Sequence, residues 1–359
     1  MSERDLEQLI NCALCPNMCR SDCPVLQVLK REAVSPARKA RFAAMAYQGN
    51  LVLSDDILEA IAHCLGCQAC TLRCPFPDLD LCSELLLSRL KEANLKSTLP
   101  AWEGYLLNLK KYSSPYGQIR ANAYGKTGKA NLLFFAGCTA RANNPHAIEA
   151  TTRLLDQAGV DYQMIAEDCC GFPADTWGDP DLSYQLASEN SRKMEASGAT
   201  ALLTNCPECW LTFKERYPAM GLPPPLDIID GPSFFYQLMQ SGKLKVKTES
   251  ALKVSYHDPC IWARRAKKLN EPQEILKLIP GLTVTEIDAS GKDTRCCGGG
   301  RMFQLSFPHT SNLLSERRLK DFPVDGTIVT ACPFCREGLS RDDGKPVLEL
   351  VELLAAVCT

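Results

Sequence analysis

The sequence predicts an α/β protein in three parts: a helical N-terminal domain, followed by two duplicated domains of alternating strands and helices. Two observations predict this organisation. Eight of the twenty cysteines form two tight runs within residues 1–75, and the segments around them have helical periodicity. After residue 130, one order of strands, cysteines and helices occurs twice. Strands that alternate with helices form mainly parallel sheets.

The bulk composition is that of an ordinary globular protein. The chain has 359 residues, 45% hydrophobic and 23% charged, with a formal net charge of −2. That charge argues against a nucleic-acid partner, which selects for a strong basic excess. No apolar run reaches the roughly 18 residues of a membrane span, and the N-terminus lacks a signal-peptide pattern. We expect a cytoplasmic protein, or one held peripherally at a membrane through a partner.

The cysteine content is the main anomaly of the composition. Without a secretory signal, twenty cysteines are better explained by metal binding or redox use than by disulfides. The first run is Cys12-x2-Cys15-x3-Cys19-x3-Cys23, and the second is Cys64-x2-Cys67-x2-Cys70-x3-Cys74. A proline follows the last cysteine of each run.

The second run has the spacing of a bacterial ferredoxin, in which three cysteines hold one 4Fe–4S cube and the fourth holds the other. The first run has one extra residue in its middle gap. We therefore predict two cubane 4Fe–4S clusters. The first cube has the ligands Cys12, Cys15, Cys19 and Cys74. The second has the ligands Cys64, Cys67, Cys70 and Cys23. Zinc is the alternative, but its four ligands usually form two well-separated pairs.

The segments around these runs are predicted to be helical. Helices are expected over 39–47 and, with Ser54 as N-cap, through Ala62. Apolar residues at helical spacing predict two more, over 83–95 and 102–112. We place the helical domain at residues 1–100 and a linker at 101–129.

The duplicated part begins near residue 130. Its first copy has predicted strands at 132–136, 161–166, 201–204 and 226–229, with helices at 146–159, 182–197 and 234–240. The second has strands at 253–257, 283–287 and 327–330, with helices at 272–278, 311–319 and 348–356. The two copies are offset by 122 residues at the first cysteine and 126 at the CxxC pair. This marks a duplication, with domains at 130–245 and 246–359.

Each copy carries five cysteines: a single cysteine, a Cys-Cys-Gly and a Cys-Pro-x-Cys. The first set is Cys138, Cys169, Cys170, Cys206 and Cys209. The second set is Cys260, Cys296, Cys297, Cys332 and Cys335. The single cysteines and the CxxC pairs follow strands directly, so the carboxyl edge of each sheet can bring the five together.

Two other interpretations of these sets fit the pattern less well. The CxxC pairs could be thioredoxin-like redox pairs, but those need no vicinal pair in register upstream. A tetrahedral zinc site would leave one thiol over, and five thiolates favour an iron–sulfur cluster.

These motifs resemble a known family. Both sets are similar to the cysteine-rich CCG domain of heterodisulfide reductase catalytic subunits. The domain also occurs in the iron–sulfur subunits of glycolate oxidase, lactate-utilisation proteins and anaerobic glycerol-3-phosphate dehydrogenase. The closest stretches are Tyr256-His257-Asp258-Pro259-Cys260, Ile279-Pro280-Gly281 and Cys296-Cys297-Gly298-Gly299-Gly300. The chain differs at Ile261, where a histidine is expected, and at Arg301, which ends the glycine run.

The resemblance implies Rossmann-like α/β CCG domains behind a ferredoxin-type domain. It also implies one or two non-cubane 4Fe–4S clusters, held by the two five-cysteine sets and fed with electrons by the cubes. The implied activity is that of an oxidoreductase subunit that reduces or forms a disulfide. The second set would be catalytic, with His257 as a further catalytic residue.

The alternative function is an electron relay between a flavoprotein dehydrogenase and a quinone or membrane partner. No GxGxxG follows a predicted strand, so flavin or nicotinamide chemistry would belong to another chain. The implied partners are a flavoprotein or other electron-transfer subunit, a membrane cytochrome b-type subunit, and a small thiol or disulfide.

A few further residues are candidates. His257 and Asp258 could supply a proton to a leaving thiolate, or could cap the strand end and orient its loop. The basic run of Arg264, Arg265, Lys267 and Lys268 could attract an anion, although a solvated helix face is the expectation. Cys82 and Cys358 lie outside every motif and are expected to be ordinary buried thiols.

Overall fold

The computed structural model describes residues 3–16, 18–76, 86–96, 98–118, 128–340 and 344–359. It contains a helical N-terminal part and two four-stranded sheets, each wholly parallel. The α/β class is therefore confirmed. Cys82 and the start of the helix predicted over 83–95 lie outside the described residues.

The N-terminal part consists of short helices around the cysteine runs. They are α1 (Glu3–Leu14), α2 (Pro24–Leu29), α3 (Pro36–Tyr47), α4 (Asp55–Ala62), α5 (Ala69–Leu72), α6 (Leu86–Glu92) and α7 (Glu103–Tyr112). The alanine-rich buried face of α3 packs against α1, since small side chains allow two helices to approach closely. Ser54 caps α4 as predicted, because its side chain accepts a hydrogen bond from Ile57 N at 3.4 Å.

The first duplicated unit has four strands: β1 (Leu132–Phe134), β2 (Tyr162–Gln163), β3 (Ala201–Thr204) and β4 (Asp227–Asp230). Its helices are α8 (Cys138–Asn143), α9 (Pro145–Gln157), α10 (Phe172–Thr176), α11 (Pro180–Ser197), α12 (Pro207–Leu211), α13 (Tyr217–Ala219) and α14 (Gly231–Gln240). The turn between α12 and α13 is a π-helix over Thr212–Arg216.

The second unit repeats this plan. Its strands are β5 (Lys253–His257), β6 (Thr283–Val284), β7 (Thr327–Thr330) and β8 (Val347–Glu349). Its helices are α15 (Asn270–Lys277), α16 (Phe303–Ser306), α17 (Pro308–Leu319), α18 (Pro333–Leu339) and α19 (Leu350–Cys358). A π-helix over Ile261–Arg265 follows the first strand of this unit.

The two sheets have the same topology. Their strand orders are β2-β1-β3-β4 and β6-β5-β7-β8, and every neighbouring pair is parallel. The order reverses between β1 and β3, and between β5 and β7, so the helices leave these strands on opposite faces. A crevice opens beyond the carboxyl ends of such a strand pair. Topology thus fixes where each unit presents its cysteines.

The predicted strands and helices are found with corrections at their ends. The strand predicted at 132–136 ends at Phe134. The predicted strands at 161–166 and 283–287 shorten to two paired residues each, because both lie at a sheet edge and pair on one side. The final helix begins two residues later than predicted, at Leu350, because Val347–Glu349 pairs with β7 as a fourth strand. Cys358 is fully buried, as expected of an ordinary core thiol.

In the part of the chain that the structure describes, no helix is both long and apolar enough to cross a membrane.

The two sheet units share buried contacts. Helix α9 packs against α19, and Asn144 Nδ2 donates a 2.8 Å hydrogen bond to Glu349 Oε1. Glu349 caps α19 through a capping box with Glu352.

Glu349 predicts a pH dependence of stability. Burial raises its pKa from 4.5 to about 7. The folded state therefore holds a proton that the unfolded state releases between these values, so stability falls as pH rises through that window. We expect Glu349→Gln to remove this component of the fall. Urea unfolding at both ends of the window, followed by tryptophan fluorescence, measures it.

Glu195→Gln is the matched control, because Glu195 lies exposed on α11. It should follow the wild-type pH profile. A Glu349→Gln profile parallel to that of the wild type would contradict the prediction.

Candidate metal centres

The eight N-terminal cysteines line two neighbouring cavities. One cavity is lined by Cys12, Cys15, Cys19, Cys70 and Cys74. The other is lined by Cys23, Cys64, Cys67 and Cys70. Each cavity therefore contains one predicted set of four, with cysteines exchanged between the runs as in the ferredoxin pattern. Cys70 borders both cavities. Its strongest charge interactions are with Cys64 and Cys67, which favours the second set.

Backbone geometry brings the second group together. Gly66 has φ +56°, and its N–H points at Cys64 Sγ from 3.4 Å. Such N–H···S bonds stabilise a negatively charged sulfur. Lys39 is buried on α3 and donates to the carbonyl oxygen of His63. Its charge partly offsets the burial that raises the pKa of Cys23.

The first five-cysteine set lies at the carboxyl edge of its sheet. Its sulfurs connect in the order Cys138–Cys169–Cys170–Cys209–Cys206 through adjacent thiol contacts. The Sγ atoms of Cys138 and Cys169 are 3.7 Å apart. Because Cys138 follows β1 and the Cys206–Cys209 pair follows β3, this set occupies the crevice where the strand order reverses.

The second set repeats that arrangement residue for residue. Its order is Cys260–Cys296–Cys297–Cys335–Cys332, with 3.3 Å between the Sγ atoms of Cys297 and Cys335. All ten predicted residues are therefore brought together as two matching groups. None of the described cysteines forms a disulfide.

The electrostatics of these groups favour a bound cation. Burial raises the pKa of Cys206 to about 12. Hydrogen bonds with neighbouring thiols, together with burial, raise the pKa of Cys209. In each set, the pKa of one thiol is lowered instead. Hydrogen bonds from Cys296 and Cys335 lower the pKa of Cys297 to about 6. Five buried thiols cannot all ionise without compensation, and a metal supplies that positive charge.

The glycines after each vicinal pair let the loop approach a later helix, α11 in the first unit and α17 in the second. Gly171 has φ +92°, and a Cβ there would lie 3.0 Å from Ser183 O. Gly298 has φ +85°, and its Cβ would lie 2.7 Å from Ser311 O. Any other residue would push the cysteine pair away from the sheet edge.

His257 lies beside the second set. Its ring and the sulfurs of Cys297 and Cys335 have ligand atoms within 4.8 Å of one another. Arg318 Nε donates to His257 Nδ1 at 3.2 Å, which puts the imidazole proton on Nε2. Burial and Arg318 hold the pKa of His257 well below its usual range, so the ring is neutral. Its catalytic role stays a prediction.

Asp258 orients the loop, which was the alternative prediction for it. Its Oδ2 accepts from Gly291 N at 2.8 Å, and its carbonyl oxygen accepts from Thr294 Oγ1 at 3.0 Å. These bonds fix the chain between β6 and Cys296.

A narrow cleft lies between the two units, beside the first five-cysteine set. It is lined from the first unit by cysteines of that set and Phe172, and from the second by Met302, Pro333 and Phe334. Glu208 also lines the cleft, and burial raises its pKa to about 8. Glu208 was not predicted as a site residue. The available signal was an acidic residue inside one Cys-Pro-x-Cys where the other copy has Phe334.

Arg301 connects three parts of the molecule. Its backbone N donates to Glu208 Oε1 at 2.6 Å, and its Nη2 donates to Gly66 O at 3.3 Å. Its guanidinium also lies over the Phe172 ring, 5.2 Å from the centroid. A Cβ at Gly66 would lie 1.5 Å from Arg301 Cζ, so a side chain there would displace the guanidinium. Arg301, a residue at which the chain differs from the family pattern, thus fills the junction between the domains.

The four cysteine groups form a continuous series. A charge interaction between Cys19 and Cys70 connects the two N-terminal groups. A charge interaction between Cys67 and Cys260 connects the second N-terminal group to the second set. Cys332 in turn raises the pKa of Cys206 in the first set. The order in space is therefore first cavity, second cavity, second set, first set.

The close approach at Gly299 gives a testable prediction. A Cβ at Gly299 would lie 2.3 Å from Phe334 O, a backbone atom that cannot move without displacing the CxxC loop. We expect Gly299→Ala to lose the metal of the second set, about four irons, while the N-terminal groups keep theirs. Iron analysis with visible absorption spectra measures the loss.

Gly104→Ala is the control, because a Cβ at Gly104 meets nothing within 4 Å. Full iron content in Gly299→Ala would show that the loop tolerates the added methyl group and would contradict this prediction.

Comparison with known families agrees with these groupings. A cysteine-rich CCG domain matches residues 132–214 and again 254–340. A 4Fe-4S dicluster domain matches residues 8–77. The duplication and the N-terminal iron–sulfur domain are thus both recovered by family models.

Individual relatives point the same way. One is a component of the dihydromethanophenazine:CoB–CoM heterodisulfide reductase of Methanosarcina barkeri. It is 30% identical over 299 residues, covering 72% of this chain and 73% of that protein. The EtfAB:quinone oxidoreductase of Syntrophomonas wolfei is 26% identical over 77% of this chain, but only 42% of its own length is covered.

A solved structure of a hypothetical Helicobacter pylori protein matches all of this chain and 73% of its own, with a TM-score of 0.59 and 10% identity. At that identity the match shows the fold alone. The family follows from the sequence relatives and the domain matches together. This chain belongs to the CCG-domain iron–sulfur oxidoreductase subunits, a family that includes the matching component of heterodisulfide reductase.

Proposed function

We propose that the chain reduces, or forms, a disulfide at two non-cubane 4Fe–4S clusters that two ferredoxin-type cubes supply with electrons. The observation that carries this proposal is the proximity of the two matching five-cysteine sets, since Cys332 of the second set raises the pKa of Cys206 in the first. A disulfide bound at the junction of the two sets would have iron–sulfur centres on both sides. A disulfide has two sulfurs to separate, so a symmetric pair of metal centres suits it.

The overall reaction fixes what the site must handle. A disulfide takes up two electrons and two protons, its S–S bond breaks, and two thiols result. Bound iron–sulfur clusters would supply single electrons and iron atoms with affinity for sulfur. Phe172, Met302 and Phe334 line the cleft with apolar surface, which would keep water from reactive sulfur species.

The electron entry side is proposed to be the first N-terminal cavity. Its rim carries exposed apolar side chains: Leu14 is 80% exposed, Met18 66% and Phe76 47%. Met18 and Phe76 line the cavity itself. Exposed apolar patches of this kind suit a protein partner. We propose a flavoprotein or another electron-transfer subunit there, with a membrane cytochrome b-type subunit as a further partner.

A relay without a substrate of its own is the second candidate function. The relative named EtfAB:quinone oxidoreductase favours it, because that name describes transfer between an electron-transfer protein and a quinone. In that case the two neighbouring five-cysteine sets would serve only to pass electrons from one to the other.

Iron content separates the two cluster arrangements. We expect anaerobically purified protein to hold about sixteen irons, because four 4Fe–4S clusters are proposed. The double variants Cys206→Ser/Cys209→Ser and Cys332→Ser/Cys335→Ser should each lose about four. Cys358→Ser, a buried thiol outside every group, should lose none. About eight irons in the wild type would leave only the cubes, and one or two zincs with little iron would exclude both functions.

A spectroscopic experiment tests the disulfide chemistry. Adding a thiol to the oxidised protein should produce a new electron paramagnetic resonance signal, because the substrate sulfur binds at a five-cysteine centre. Cys332→Ser/Cys335→Ser should lack this signal while its cubane signals persist. If the wild type, with full iron content, gives no new signal with any thiol tried, the relay is favoured instead.

A further inference from the structure

An arginine-rich cavity lies away from the cleft. It has a volume of about 250 Å³ and lies between the N-terminal domain and the second CCG unit. Cys67 of the second N-terminal group and Cys296 of the second CCG set both line it. The cavity therefore reaches two proposed metal centres from the solvent side.

Its lining is strongly basic. Five arginines contribute to it, against two aspartates, Asp22 and Asp293, in a chain with a net charge of −2. The arginines are Arg73, Arg264, Arg295, Arg317 and Arg318. Asp321 adds one acidic group behind the wall, where it pairs with Arg295 and Arg318. A net positive charge remains at the cavity.

Two of the five arginines have evident internal roles. Arg264 donates to the carbonyl oxygens of Cys67 at 2.6 Å and Lys292 at 2.8 Å, and its charge opposes the rise in pKa of Cys67. The expectation of a solvated helix face is wrong for this residue. Arg73 pairs with Asp22 at 3.1 Å and Asp293 at 2.9 Å, so it joins the two domains across the cavity mouth.

Arg318 is different, because part of its hydrogen-bonding capacity is unused. Its side chain is 0% exposed, with Nε bonded to His257 and Nη1 to Asp321 and two carbonyl oxygens. Its Nη2 has no hydrogen-bond partner among the described residues. A buried guanidinium donor without an acceptor is costly, and the cavity that Arg318 lines offers space for one.

Arg317 adds a second available cation. It is half-buried, lines the same cavity and makes no ion pair within the described ranges. It is adjacent in sequence to Arg318 near the end of α17. Guanidinium groups bind phosphate and carboxylate oxygens in pairs of parallel hydrogen bonds.

We propose that this cavity binds a small oxyanion, a phosphate or carboxylate group, with Arg317 and Arg318 as its main donors. The site is separate from the cleft beside the first five-cysteine set, and it goes beyond the proposed disulfide chemistry. Its polar lining and modest volume suit the charged group of a small metabolite rather than a protein segment.

Calorimetry on the full-length anaerobic protein tests the site without electron transfer. Inorganic phosphate and succinate are titrated separately at fixed ionic strength, so that the stronger binder identifies the class of anion. We expect one site per chain. Arg317→Gln should weaken binding about tenfold or more, because a charge-assisted hydrogen bond is lost.

Arg153→Gln is the matched control, since Arg153 is an exposed arginine on α9 remote from the cavity lining. It should bind like the wild type. Arg318→Lys keeps the charge but removes the guanidinium fork, and it should also weaken binding about tenfold or more. If Arg318→Lys fails to fold, the Arg317→Gln comparison still decides.

Three results would overturn the proposal. One is no wild-type binding of either anion tighter than about 10 mM. Another is unchanged affinity in Arg317→Gln. The third is an equal loss in Arg153→Gln, which would reveal general charge attraction. Altered cluster spectra in Arg317→Gln with unchanged anion affinity would assign Arg317 to balancing cluster charge. A failure of the disulfide reaction would leave all of these binding measurements valid.

Discussion

The guanidinium of Arg301 lies at a position where all three domains meet, and the relative placement of the cysteine groups depends on it. It lies over Phe172 of the first unit, bonds Gly66 of the N-terminal domain, and belongs itself to the second unit. The residue is 2% exposed and has φ +59°, a strained conformation for a side-chain-bearing residue. The strain persists because three sets of contacts hold it.

Positive charge is distributed through this interior where the thiols need it. Lys39 offsets Cys23, and Arg264 offsets both Cys67 and Cys260. Each of these cations is anchored by backbone carbonyl oxygens, so its position is fixed before any metal binds. Fixed cations favour the deprotonated thiolates that a metal requires, and thereby lower the cost of assembling buried sites.

Much of this architecture could be predicted because it is encoded locally. Strand hydrophobicity, cysteine spacing and the repeated Cys-Cys-Gly each lie within short segments, and parallel topology then brings the cysteines to one edge. Strand β8 was missed, since its three residues precede a strongly apolar helix and only pairing with β7 makes them a strand. Arg318 was also missed, because a charged residue on a helix gives no sign of burial until the neighbouring domains are in place.

The duplicated units have the same arrangement of cysteines but different side chains around them. Both glycines after the vicinal pairs approach a serine carbonyl oxygen, in α11 and in α17, so the backbone around the cysteines is the same in each unit. The residue inside the Cys-Pro-x-Cys is Glu208 in one unit and Phe334 in the other, and both line the shared cleft. One wall of the cleft therefore carries a hydrogen-bonding carboxyl group, and the other is apolar. The duplication has thus kept the order of the sulfurs in each set while the side chains between the two units have diverged, so the two cysteine sets lie in different environments.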